Sequence, residues 1–138
     1  MKQRVPVSQI MSKALIAVPT NKKLSEVNQL LVEYNIRHIP VIEAENVVGI
    51  ISSNDILKIG YGANDLDQSA LDAIYDAYKL EDVMTKNPIV VMDDTNIKDV
   101  AEIFSKQQFH SLPVVDKDNV LQGIMTTTDM INYLIAQY

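Results

Sequence analysis

The chain has 138 residues, 47% apolar and 22% charged, enough to bury a real core and too apolar for a disordered chain. It contains no cysteine, which excludes disulfides, thiolate nucleophiles, cysteine-ligated zinc and iron–sulfur clusters. Twelve basic against eighteen acidic residues leave a net charge of −6, so phosphate backbones are repelled at long range and nucleic acid is disfavoured as a partner.

No segment approaches the run of ~18 apolar residues that a membrane span needs. The start, Met1-Lys2-Gln3-Arg4-Val5-Pro6-Val7, is basic but lacks the apolar stretch of a signal peptide. A soluble, cytoplasmic chain with no membrane partner is the expectation.

The first predicted element is a short strand at 16–18. Apolar residues at Leu24, Val27, Leu30, Leu31 and Tyr34 then predict a helix over 24–35. Lys23 is a poor cap for it. Apolar runs at 39–42 and 47–51 flank Glu43-Ala44-Glu45-Asn46, a strand–turn–strand signal, and 53–59 reads as a helix. Residues 60–82 hold six acids (Asp65, Asp67, Asp72, Asp76, Glu81, Asp82) against Lys79 alone. Leu66, Ala70, Ala73 or Ile74, and Ala77 fall at helical spacing, so an amphipathic connecting helix is expected here. Its acids read as a solvated face, with a cation site or partner face as the functional alternative. The remaining elements are a strand at 89–91, a helix at 97–107 capped by Asn96, strands at 112–115 and 120–125, and a helix at 127–136.

The order of elements repeats, and so do the letters. Met11-Ser12-Lys13 returns as Met84-Thr85-Lys86, and Pro40-Val41 as Pro113-Val114, both at an offset of 73. Asn46-Val47 still matches Asn119-Val120 at 73, whereas Gly49-Ile50 matches Gly123-Ile124 at 74. One inserted residue accounts for the step, and Gln122, set in a turn, is the simplest candidate. The expected domains are a first repeat at 8–59, an acidic segment at 60–80 and a second repeat at 81–138.

Each repeat ends in the same motif: Gly49-Ile50-Ile51-Ser52-Ser53-Asn54-Asp55 and Gly123-Ile124-Met125-Thr126-Thr127-Thr128-Asp129. A strand ends at the hydroxyl residue and a helix starts after it, so free N–H groups of its first turn can attract an anion. Asp55 and Asp129 then sit where a carboxylate can accept hydrogen bonds from two vicinal hydroxyls, as a ribose offers. The same residues also suit a reciprocal helix cap, worth about 0.5–2 kcal/mol. Both readings are open from the letters alone.

These features, twice and in fixed order, resemble the cystathionine-β-synthase (CBS) domain. The chain looks like a tandem pair, a Bateman module, with the resemblance covering about 8–57 and 81–136. The resemblance implies an α+β fold of two β-α-β-β-α repeats packed with pseudo-twofold symmetry and joined by the acidic connecting helix. It further implies up to two sites in the cleft between the repeats for adenosine-containing ligands: AMP, ADP, ATP, S-adenosylmethionine or dinucleotides, with magnesium arriving on ATP. On this resemblance Asp55 and Asp129 hold ribose, and Ser52 and Thr126 contact ribose or phosphate. Ala14 with Ile16, Asn87 with Ile89, Ile36 and Phe109 pack against the base. The positions two and three before the proline, Arg37 and His38, His110 and Ser111, reach phosphate or are surface residues at a strand start. Repeat one carries more positive charge there, so the two sites are expected to be unequal.

The resulting expectation is a non-catalytic regulatory sensor, commonly a homodimer, that acts on a separate effector protein. A structural dimerisation or docking module with vestigial pockets is the alternative. An enzyme is not expected. The two histidines lack a nucleophile or orienting carboxylate at motif spacing, and neither a Walker-type loop nor His-Glu-x-x-His occurs. No resident catalytic metal or cofactor is implied.

Overall fold

The computed structural model describes residues 4–13, 16–63 and 65–138. After a 3-10 turn at Val7–Gln9 the elements are β1 (Ser12–Lys13), β2 (Val18–Pro19), α1 (Leu24–Glu33), β3 (His38–Glu43), β4 (Asn46–Ser52), α2 (Ser53–Ile59) and α3 (Gln68–Asp76). There follow α4 (Leu80–Val83), β5 (Thr85–Lys86), β6 (Val91–Met92), α5 (Ile97–Lys106), β7 (Ser111–Val115), β8 (Leu121–Thr126) and α6 (Thr127–Ala136). The fold is mixed α and β, with two four-stranded sheets ordered β2-β3-β4-β5 and β1-β8-β7-β6.

Two compact units result. One runs from Ile16 to Asn87; the other joins Met1–Leu15 to Pro88–Tyr138. The amino-terminal segment therefore serves the second repeat. Val7 is fully buried there among Val91, Ile97, Val100, Leu112, Val114 and Met125. Its N–H donates to Thr95 O at 2.7 Å, and β1 pairs antiparallel with β8. In the Ile16–Asn87 unit the core is Val18, Leu24, Val27, Leu31, Ile39, Val41, Ile51, Ile56, Tyr75 and Leu80. The buried face of α1, Leu24, Val27 and Leu31, follows the i, i+3, i+7 stripe legible in the sequence.

The predicted strands at 16–18 and 89–91 lie at Val18–Pro19 and Val91–Met92 instead. A strand exists only where a neighbour accepts its ladder, and β3 and β7 offer theirs at Val41–Ile42 and Val114–Val115. The expected connecting helix is α3; α4 is a further single turn beyond it, and β1 and β5 are additions of two residues each. α1 stops at Glu33, short of the predicted 35. Asn35 is left-handed (φ 51°), its N–H donates to Val32 O, and the Ile36 N–H donates to Leu31 O. Those two bonds make a Schellman end, which folds Ile36 back onto the core.

Gln122 is not the inserted residue. Val41 faces Gly49 and Ile42 faces Val47, so Val48 is a bulge; Val114 faces Gly123 and Val115 faces Leu121, so Gln122 is the matching bulge. The extra residue sits in the turn 116–120, which has five residues where 43–46 has four. There the Asp116 carboxylate accepts the N–H groups of Asp118 (2.8 Å) and Val120 (3.0 Å). Asn46-Val47 and Asn119-Val120 thus match in letters but not in place.

The weak cap at Lys23 has a remedy from outside the helix. Asp76, in the last turn of α3, accepts the Ser25 N–H at 3.0 Å and the Ser25 hydroxyl at 2.9 Å. Asp67 caps α3 itself through the Ala70 N–H, and Asp72 accepts from Gln68. Three of the six acids between 60 and 82 are therefore tied into helix ends or side-chain pairs rather than only facing water. In α5 the expected cap is present: Asn96 accepts the Lys98 N–H at 3.0 Å.

Candidate functional site: two carboxylates held by helix caps

Each motif is a complete capping box. At Ser52 the extended backbone of β4 (φ −113°, ψ 162°) turns into α2. The Ser52 hydroxyl accepts the Asp55 N–H at 3.1 Å, and Asp55 Oδ2 accepts the Ser52 N–H at 2.9 Å. At the start of α6 the Thr126 hydroxyl accepts the Asp129 N–H, and Asp129 Oδ2 accepts the Thr126 N–H, both at 3.0 Å. All four residues are half-buried.

The first-turn donors are largely occupied. The Ser53 N–H goes to Arg37 O at 2.9 Å, and the Thr127 N–H to His110 O at 3.0 Å. With Asp55 N and Asp129 N used by the caps, little of either helix end is left to hold an anion. The carboxylates are different. An ionised carboxylate has about four acceptor positions and the cap uses one. Asp55 Oδ1 accepts from no donor among the described residues. The cap and a hydroxyl-binding site are therefore compatible: the cap fixes the orientation of a group whose second oxygen stays available.

The same two backbone bonds set Arg37 and His110 in equivalent places, each one residue before the strand that pairs with the motif. His38 lies opposite Ser52 and Ser111 opposite Thr126. Arg37 and His110 are exposed, His38 is half-buried and Ser111 is buried. Ile16 and Ile36 pack against the first core, and Phe109 against the second, edge-on to Phe104 with ring centres 6.5 Å apart. Ile89 is exposed. Asn87 is left-handed (φ 47°) and its N–H donates to Val48 O. Ala14 lies outside the described residues.

Sequence reasoning missed Ser12. Its hydroxyl donates to Asp129, 3.2 Å from Oδ1 and 3.4 Å from Oδ2, across a separation of 117 residues. A signal existed in the repeated Met-Ser/Thr-Lys triplet. Its methionines explain the motif glycines as well: a Cβ on Gly49 would meet the Met84 side chain, and one on Gly123 would meet Met11. No group of three or more His, Cys, Asp or Glu able to hold a metal occurs among the described residues.

The sequence profile of the CBS domain matches residues 7–62 and 80–136. The chain belongs to the CBS-domain family. Protein MJ0188 of Methanocaldococcus jannaschii is 35% identical over 135 residues, 96% of this chain and 45% of that protein. The chain spans about half the length of the curated relatives it first matches. Two solved structures are similar over nearly their whole length. CBSX2 of Arabidopsis thaliana in complex with AMP is 29% identical with a TM-score of 0.81, covering 95% of this chain and 97% of that one. The CBS domain pair of protein MJ0100 in complex with 5′-methylthioadenosine and S-adenosyl-L-methionine is 30% identical with a TM-score of 0.77, covering 94% and 99%.

Proposed function

We propose that this CBS pair is a non-catalytic regulatory module that binds adenosine-containing ligands at its two motif carboxylates and passes the bound state to a separate effector protein. The observation that carries the reading is the motif Asp, fixed by its own helix cap in both repeats with acceptor capacity to spare. Support comes from the chemistry common to the ligands named for the two similar structures. AMP, 5′-methylthioadenosine and S-adenosylmethionine share an adenosine, with its vicinal 2′ and 3′ hydroxyls, and differ at the 5′ position. Asp55 and Asp129 take the shared hydroxyls, with Ser52 and Thr126 beside them. Ile16, Ile36, Ile89 and Phe109 contribute apolar surface to the base. The 5′ group is read by Arg37 and His38 in one repeat and His110 and Ser111 in the other. A permanently charged, exposed Arg37 favours a 5′-phosphate over the cationic sulfonium of S-adenosylmethionine. Any effect on the effector requires that ligand bind two conformations unequally.

The module also works as a homodimer in this reading. On α6 and just past it, Ile131, Leu134, Ile135 and Tyr138 recur at helical spacing and are 41% or more exposed, and none of the residues of α6 is buried. Such an apolar stripe is suited to burial against another chain.

Isothermal titration with AMP, ADP, ATP, 5′-methylthioadenosine and S-adenosylmethionine, with and without magnesium, tests the function. Saturable binding of at least one, lost in Asp55→Ala combined with Asp129→Ala, is expected. Asp→Asn variants, which keep a cap acceptor, separate ligand loss from cap loss. No binding at millimolar concentration refutes the reading and favours a purely structural role.

A further inference from the structure

The two motifs are built alike but are not left in the same state. Asp129 has its cap bond from Thr126 N and, in addition, the Ser12 hydroxyl shared between its two oxygens. Asp55 has the cap bond from Ser52 N alone among the described residues. The reason lies in β1 and β5. Ser12 faces Ile124 and Lys13 faces Gly123; Thr85 faces Ile50 and Lys86 faces Gly49. The register is the same, so Ser12 and Thr85 hold equivalent positions beside equivalent motifs. The serine hydroxyl rotates freely among its staggered positions, whereas β-branching restricts χ1 of a threonine. Among the described residues only the serine hydroxyl reaches its carboxylate.

We infer that Ser12 is a latch on the second motif: it occupies Asp129 in the empty protein, and a ligand hydroxyl must displace it, so the Asp55 motif fills first. This rests on the adenosine-binding reading above and adds which motif leads and which residue decides it. The exposed Arg37 beside the first motif, where the second has His110, acts in the same direction for a phosphorylated ligand. Ser12 is exposed, so the displaced hydroxyl can turn to water at little cost, and the latch weakens the site without abolishing it.

The test is a titration with AMP followed by the backbone amide signals of Ser52, Asp55, Thr126 and Asp129, in the full chain and in Ser12→Ala. In the unaltered chain the Asp55 signals should saturate at a lower AMP concentration than those of Asp129. Ser12→Ala should tighten the Asp129 motif about two- to tenfold, the range of one net hydrogen bond, and leave Asp55 unchanged. Weaker binding at Asp129 in Ser12→Ala would make Ser12 a ligand contact and overturn the latch. Saturation of Asp129 first, or of both together, also overturns it while leaving adenosine binding intact. No response of either motif to millimolar AMP, 5′-methylthioadenosine or S-adenosylmethionine refutes the binding reading and the filling order with it. The latch bond then stands or falls on the ligand-free spectra. There Ser12→Ala must shift the Thr126 and Asp129 amides and spare Ser52 and Asp55; unshifted signals mean that the bond does not exist.

Discussion

Replacing Gly123 with alanine should destabilise the protein clearly more than the same change at Gly49, although the two glycines occupy the same place in the repeats. Neither has a positive φ, so alanine is tolerated by the backbone itself at both. What differs is the obstacle. The three atoms nearest a Cβ on Gly49 all belong to the Met84 side chain, which has three rotatable bonds and can move aside. A Cβ on Gly123 would stand 2.5 Å from Met11 Sδ and also 2.7 Å from the Ser12 carbonyl oxygen. That oxygen belongs to β1, paired with β8 at this very point, and cannot retreat without opening the pairing. Overpacking against an element that cannot yield costs about 1–3 kcal/mol. Reduced freedom of the unfolded chain returns about 0.4–1 kcal/mol at either site. The expected result is near neutrality for Gly49→Ala and a net loss of about 1–2 kcal/mol for Gly123→Ala. At about 3–5 °C per kcal/mol for a chain of this size, scanning calorimetry should separate them by several degrees. Adding Met11→Ala should relieve little of the Gly123→Ala cost, because the backbone contact remains. Equal losses, or full relief by Met11→Ala, would falsify the argument. Because Ser12 moves with β1, Gly123→Ala should also disturb the Ser12–Asp129 bond.

Asp76→Ala removes the side-chain cap that α1 has among the described residues and should cost about 1–2 kcal/mol, with faster hydrogen exchange at the Ser25 amide; an unchanged exchange rate contradicts the assignment. Burial, and secondarily the charge of Asp72, raises the Tyr75 phenol above its ordinary 10.0. The native state therefore keeps a proton that the unfolded chain loses, so this contribution is complete below about pH 10 and is lost as pH rises through the raised native value. Urea midpoints between pH 8 and 11 should fall less steeply in Tyr75→Phe, and identical slopes refute this. Ile131→Asp with Ile135→Asp places two charges on the exposed stripe of α6. On the homodimer proposal the unaltered chain should sediment as a dimer and this variant as a monomer, and an unchanged sedimentation coefficient removes α6 from the interface. Lys22→Ala should cost no more than about 0.5 kcal/mol in urea titration, since the Lys22–Glu26 pair is a solvent-accessible i, i+4 contact.

Much of what depends on neighbours within a few residues was readable from the letters, although the Schellman end of α1 and the Asp67 cap of α3 were not. The apolar stripes of α1 and α5, the hairpins β3–β4 and β7–β8, the Asn96 cap and the Ser/Thr-x-x-Asp boxes are all local, because helix and strand periods act on adjacent side chains. The duplication was readable too, since a repeated pattern needs no knowledge of contacts. What tertiary structure alone decided is long-range. Two-residue strands carry no alternation, so β1 and β5 were not predicted, and the strands predicted at 16–18 and 89–91 took their exact places, β2 and β6, from the longer strands that accept them. The location of the insertion turned on bulges at Val48 and Gln122, which letter matching could not see. Asp76 reaches Ser25 across 51 residues and Ser12 reaches Asp129 across 117. Such pairs are chosen by the register of packed elements, and register is a property of the whole chain. Sequence thus placed two equivalent carboxylates in the first turns of two equivalent helices, and folding determined that, among the described residues, Asp129 carries a second partner and Asp55 does not.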